Sequence, residues 1–313
     1  MLPSLSPAHG ATLSGSPTLP GAGIPNTVSA NTVTGWPGTG WLGTPPYQFP
    51  GNDGQPHSIT WDKHSYIVDG QRLTIWSGEL HYWRLPSPQH WRDIFQKMKA
   101  AGFNAVSLYF FWGYHQSAPG LPLDFSGIRD VDLLLRMAAE EGLYVIARPG
   151  PYINAEISMG GMPAWQTNSA TTTRSDWEQQ RTWLRSINHI LARHQVTTGG
   201  GSVLLYQVEN EEPNDSKPYE NYLAHLVKVA RADGITVPIF HNDPAPGKNW
   251  AYSTPRTGLN TYSYDEYPVL FDCAATRKEL VDHGENVDRA FAAAHNSPCL
   301  LYTSDAADDS PPV

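Results

Sequence analysis

Cysteine is scarce in this chain. Of 313 residues only Cys273 and Cys299 are cysteines, too few for a disulfide scaffold and without the spacing of a metal site. Positive charge is short as well. Lys and Arg number 21 against 30 Asp and Glu, a net charge of -9, which argues against nucleic acid or an anionic membrane as partner. No apolar run reaches the ~18 residues of a membrane span. The twelve His are scattered, with no HExxH or paired-His motif, so no metal and no other cofactor is expected. A Gly-rich phosphate loop at the start of a helix is also missing.

What is abundant is apolar and aromatic. With 40% hydrophobic residues, eleven Trp and fifteen Tyr, the chain can bury one large core and still present rings to a ligand. Residues 1–55 differ in kind. They are dominated by Gly, Pro, Ser and Thr with almost no charge, and read as a disordered leader that cannot bury enough to order itself. No basic segment precedes an apolar one, so no signal peptide is recognisable.

The chemistry is expected where strands end. Val203 to Val208 is apolar enough to be covered on both faces, and Glu209-Asn210-Glu211 follows at once. Burying carboxylates costs several kcal/mol unless partners compensate, so a buried strand that ends in two of them points to a site. A solvated loop after an ordinary strand is the bland alternative. Leu143 to Ala147 ends similarly, in Arg148-Pro149-Gly150-Pro151-Tyr152-Ile153-Asn154-Ala155-Glu156. Two prolines and a glycine forbid an immediate helix and aim Asn154 and Glu156. A third strand, Ala105 to Trp112, carries Tyr109 and neighbouring rings. Such rings suit a sugar's apolar face but equally suit a core.

From Ser58 onward strands and helices alternate. A hairpin is predicted to turn at Asp69-Gly70, and Leu73 to Glu79 is expected to be the first barrel strand. Helices are predicted over Trp91–Ala100, Asp132–Glu141, Asp176–His194 and Tyr219–Ala232, with further strands near Asn104, Leu143, Val203, Val237 and Gly258. Such βαβα alternation means a parallel sheet with helices outside. The predicted fold is an incomplete (β/α)8 TIM barrel over residues 56–298, with about six strands present and the seventh and eighth largely missing. A doubly wound open sheet is the alternative, weakened by the absent phosphate loop.

These segments also carry a resemblance. Ser77-Gly78-Glu79-Leu80-His81-Tyr82 with Arg84-Leu85-Pro86, Trp91 to Gly102, and Asn104 to Trp112 are similar to the family-35 glycoside hydrolases, the large β-galactosidases. Arg148 to Glu156 matches that family's RPGPYINAE motif, Gln207 to Glu211 its QVENE motif, and Tyr267-Pro268 with Phe271-Asp272-Cys273 a later segment. The resemblance implies a retaining exo-β-galactosidase acting on terminal β-galactosides, secreted, with two carboxylates about 5–5.5 Å apart. It implies Glu211 as general acid/base and Asn210 on the sugar 2-hydroxyl. Asn154, the backbone of Ala155, and Glu156 would hold the 3- and 4-hydroxyls, with Tyr109 and Tyr267 completing the pocket. Glu209 reads as structural, and His81, Trp76 and Trp165 as packing. Glu212 stands where the family usually has an aromatic residue.

The nucleophile is not expected in this chain. In the family a Glu in a PEFQ-like context follows the stretch ending at Pro298. Here residues 299–313 instead resemble a translated sequencing-library adapter. The family counterpart of Cys273 pairs with a later cysteine, so no Cys273–Cys299 bond is expected. Two other readings stay open: a β-glucosaminidase-type relative on the same barrel, and a catalytically dead sugar-binding module.

Overall fold

The computed structural model describes residues 49–167, 177–212, 217–244, 254–265 and 299–302, together with 276, 278 and 279. The leader up to residue 48, Tyr267 and Cys273 lie outside the described residues.

Three short strands come first: β1 (Ile59–Trp61), β2 (Tyr66–Val68) and β3 (Gln71–Leu73), an antiparallel sheet in that order. Its predicted turn is present. Asp69 and Gly70 take φ values of 47° and 78°, the paired positive φ that makes Asp-Gly the favoured two-residue hairpin loop.

Seven strands then build one parallel sheet: β4 (Ser77–Leu80), β5 (Ala105–Tyr109), β6 (Tyr144–Arg148), β7 (Val203–Gln207), β8 (Ile239–Asp243), β9 (Thr261–Asp265) and β10 (Cys299–Tyr302). They pair in sequence order, each with the next. Between them run α1 (Pro88–Ala100), α2 (Trp112–His115), α3 (Val131–Glu140), α4 (Ala164–Thr167), α5 (Trp177–Ala192), α6 (Lys217–Ala232) and α7 (Thr254–Thr257). Six parallel strands, β4 to β9, with helices between them are the incomplete (β/α)8 barrel that the sequence predicts. The seventh strand falls in the segment read as a non-native tail. Its Cys299 pairs with Tyr262 and its Tyr302 with Asp265, giving the β9 edge a ladder partner.

Strand alternation divides the work between two faces. Val106, Leu108, Val145 and Ala147 turn outward and pack on Phe95 of α1, Leu134 and Ala138 of α3, and Trp183 and Ile187 of α5. Each such side chain contributes about 1.5–3 kcal/mol on burial. Ala105, Tyr144, Ile146, Leu204 and Phe240 turn inward and are covered by Tyr66 and Val68 of the hairpin. The Tyr66 hydroxyl reaches Thr261 Oγ1 at 2.7 Å, so the hairpin spans the inner face at the strands' N-terminal end. Asp130 caps α3 by accepting from the Leu133 N–H at 2.8 Å. Gly102, with φ of 93°, stops α1 where the sequence places the stop.

Two boundaries differ from the sequence reading. The first barrel strand begins at Ser77, because the Asn104 side chain clamps the preceding segment, donating to the Thr74 carbonyl at 2.7 Å and accepting from the Trp76 N–H at 2.8 Å. Strand β5 ends at Tyr109 rather than running through Trp112. Trp112 to His115 coils into one helical turn, held by the Trp112 indole N–H on Gln116 Oε1 at 2.8 Å.

Candidate active site

The C-terminal ends of the strands gather the polar residues. Arg148, the last residue of β6, is buried. Its Nη1 donates to Glu79 Oε2 of β4 at 3.2 Å, its Nη2 donates to Asn210 Oδ1 at 2.6 Å, and its guanidinium lies 3.9 Å from the centroid of the Tyr109 ring. His81 stacks over the same ring at 5.2 Å and pairs through Nε2 with Glu79 Oε1 at 3.2 Å. A buried charge is tolerable only when paired and hydrogen-bonded. Arg148 and Glu79 meet that condition together.

Asn210 is held on three sides. Its Oδ1 accepts from Arg148 and also from Gln207 Nε2 at 3.1 Å. Its backbone N–H donates to Glu209 Oε2 at 2.8 Å. With Oδ1 taken by two donors, the amide nitrogen turns toward Glu211, donating to Oε2 at 3.3 Å. Glu209 is buried, and its other oxygen accepts from the Tyr222 hydroxyl of α6 at 3.2 Å, a structural position as the sequence suggests. Glu211 is half-buried, and its N–H donates to the Asn242 carbonyl of β8 at 3.0 Å.

Backbone strain concentrates here. Glu209 and Glu211 adopt φ of 59° and 48°, and Asn154, Ala155 and Glu156 adopt 54°, 53° and 48° in succession. For residues other than glycine such conformations cost of order 1–3 kcal/mol each, and they cluster at functional sites. The turn that carries the last three is tied down. Ala155 is buried against Tyr109 and Ile153, its carbonyl accepts from Arg84 Nη2 at 2.9 Å, and Trp183 of α5 donates to the Pro149 carbonyl at 3.0 Å. Asn154 is half-buried and Glu156 exposed at the turn's rim.

Of the residues expected to form the site, Tyr109, Asn210 and Glu211 are linked through Arg148, and Ala155 packs on Tyr109. Trp76, expected to pack, is instead 62% exposed and stacks on Phe103 at 5.8 Å, because it precedes the strand rather than lying in it. Sequence reasoning gave no role to Arg148, Glu79, Asn242 or Asp265. Asp265 ends β9 as Glu211 follows β7, so the same strand-end argument reaches it. Asn242 Nδ2 donates to its Oδ2 at 2.5 Å. Burial, opposed by Arg148 and reinforced by the Glu211 carboxyl, pushes the Asp265 carboxyl up to about 7. Among the described residues no three His, Cys, Asp or Glu side chains converge to hold a metal ion.

Buried carboxyl groups, an oriented amide and a strained, aromatic-flanked turn suit hydrolysis of a neutral polar substrate by proton transfer. The chain is 41% identical over 237 residues to a protein named probable beta-galactosidase C from Neosartorya fischeri. It is 40% identical over 235 residues to one of the same name from Sclerotinia sclerotiorum. These stretches cover 71% of this chain and 24% of each relative, so the chain spans about a quarter of their length. In fold it is similar to an exo-beta-1,4-mannosidase from Opitutaceae bacterium strain TAV5, with a TM-score of 0.59 at 16% identity over 80% of this chain and 50% of the other. A beta-glucuronidase from Faecalibacterium prausnitzii gives 0.51 at 14% identity over 78% and 37%. The model of the family described as glycosyl hydrolases family 35 matches residues 65–290. The chain belongs to family 35 of the glycosyl hydrolases.

Proposed function

We propose that the longer protein to which this chain belongs is a retaining exo-β-galactosidase, working outside the cell on terminal β-galactosyl residues, with Glu211 as its general acid/base. One observation carries the assignment most. Arg148 and Gln207 fix the Asn210 amide so that its nitrogen and the Glu211 carboxyl lie side by side at the end of β7. In this reading Glu211 gives its proton to the glycosidic oxygen as the bond to C1 breaks, then takes one from the water that releases the sugar. Asn210 donates to the 2-hydroxyl, a hydrogen bond that strengthens as positive charge develops at C1. Tyr109, Asn154, the Ala155 backbone, Glu156 and Tyr267 bind the galactosyl ring. The nucleophile we place outside these 313 residues, so that the isolated chain turns over no galactoside.

The test is leaving-group dependence. In the intact parent, Glu211→Gln should cost 10²–10⁴-fold in kcat/KM on galactosides with poor leaving groups. It should cost far less in the first step with an activated aryl leaving group, which needs little protonation. Equal losses on both substrates would remove Glu211 from the acid/base role.

A further inference from the structure

Glu211 has a strained backbone, and β8 holds it on both sides. Its φ of 48° persists in a non-glycine residue only where the surroundings fix it. The Glu211 N–H donates to the Asn242 carbonyl at 3.0 Å, and the Glu212 N–H donates to His241 Nε2 at 3.4 Å. These N–H groups belong to the two peptide planes that flank the Glu211 Cα. Peptide planes are rigid, so anchoring both fixes φ and ψ, and with them the direction in which the Glu211 side chain leaves the backbone. The first anchor is a backbone carbonyl, which any residue would supply. The second is a side chain.

What lies behind His241 suits it to that task. His241 and Asp243 are two residues apart on β8 and share the strand face on which Ile239 packs into the helix-side core. Both are buried. His241 Nδ1 lies 3.3 Å from Asp243 Oδ1. Asp243 Oδ2 accepts from the hydroxyl of Tyr262 at 3.0 Å, and Tyr262 is the residue of β9 in register with His241. A neutral imidazole carries one N–H, and a ring nitrogen that accepts must be bare. With Nε2 accepting from Glu212, the ring proton sits on Nδ1, beside the Asp243 carboxylate. The other tautomer would set Nε2–H against the Glu212 N–H, donor against donor.

Resting on the galactosidase reading, we propose that His241 is a positioning residue for Glu211. Kept in its Nδ1–H tautomer by Asp243, it anchors the Glu212 N–H and so aims the acid/base carboxyl at the glycosidic oxygen. It touches no substrate and transfers no proton itself.

The experiment compares the intact parent with Asp243→Asn, His241→Leu and His241→Gln. Asp243→Asn keeps the shape of the side chain. Its Oδ1 accepts from the Tyr262 hydroxyl, which turns its amide N–H toward His241 Nδ1 and drives the ring proton to Nε2. His241→Leu fills the volume without an acceptor, and His241→Gln restores a neutral acceptor oxygen. On a galactoside with a poor leaving group, kcat/KM should fall about tenfold or more in Asp243→Asn and His241→Leu, and less than about threefold in His241→Gln. With an activated aryl leaving group all three should stay within about threefold of the parent, because that first step needs little protonation. The imidazole ¹⁵N shifts of His241, identified as the signals missing from His241→Gln, should show a bare Nε2 in the parent and a protonated one in Asp243→Asn. A merely structural His241 would lower turnover of both substrates alike, and Gln would do no better than Leu. In an active parent, equal losses on the two substrates, no rescue by Gln, or a protonated Nε2 overturns the proposal and leaves the galactosidase reading intact. A parent that cleaves no galactoside overturns that reading, and the role given to His241 falls with it.

Discussion

At the N-terminal end of the parallel sheet, Tyr66, Ala105, Tyr144 and Leu204 meet in an apolar layer under the hairpin. At the other end of the same strands, Glu79, Arg148, Asn210, Glu211 and Asp265 meet in a network of charge and amide. The contrast extends to the backbone. Near the hairpin the positive φ values fall at a turn suited to them, Asp69-Gly70, whereas the polar end forces them on Ala155, Glu156, Glu209 and Glu211. One end gains stability from burial; the other spends part of it on fixing polar groups in place. Substitutions at the two ends should therefore separate stability from chemistry.

Arg148→Ala should have the largest effect on both. It leaves Glu79 and Asp265 without their cation and Asn210 without its stronger donor, so stability should fall by about 3–5 kcal/mol. Turnover per folded molecule should fall as well, because the Asn210 amide is released to rotate. Thermal unfolding together with kcat on the folded fraction checks this, and full activity in a destabilised variant would break the comparison. Leu204→Ala, in the apolar layer, should cost about 2–5 kcal/mol by the cavity it opens. Here kcat and its pH profile should stay as they were.

A third effect enters from the helix layer. His115 is buried between Phe125 and Trp183, where burial pushes its pKa down to about 4. Its Nδ1–H donates to the Asp124 carbonyl at 2.7 Å, and its Nε2 accepts from the Tyr82 hydroxyl at 2.5 Å. The folded pKa lies below the unfolded value, so the unfolded chain binds more protons between them. Stability is fully present above about pH 6.5 and declines toward pH 4, by about 3 kcal/mol from this group. His115→Gln should flatten unfolding midpoints across that window. An unchanged slope would show that other groups carry the acid sensitivity. Because Trp183 also holds the Pro149 carbonyl, acid loosening of this layer should reach the turn that carries Asn154 to Glu156 before it reaches the hairpin.

The apolar end and its helices were legible in the sequence, because their periods of 2 and 3.6 are set by burial alone. Helices α1, α3, α5 and α6 lie within about two residues of their predicted bounds at nearly every end. At the polar end, residue types were legible and partnerships were not. Glu211 and Asn210 announced themselves as polar groups after a buried strand. That Arg148 would bridge Glu79 to Asn210, or Asn242 would join Asp265 to Glu211, depends on strands separated by some 25 to 70 residues arriving at one height. Local pattern does not encode that height. It is set by register and by the bulge between β6 and β7 at Val145/Ile146. The single turn Trp112–His115 was hidden for a related reason: its sequence is as apolar and aromatic as the strand before it.

The central claim is that Glu211 supplies and removes the proton in a double displacement. It is tested most directly by replacing Glu211 with alanine in the intact parent and assaying an activated aryl β-galactoside with and without azide. Without the general base, water attacks the glycosyl-enzyme slowly, whereas azide needs no deprotonation. Azide should therefore restore turnover and yield the β-galactosyl azide. No acceleration by azide, or an α-configured product, would contradict the assignment.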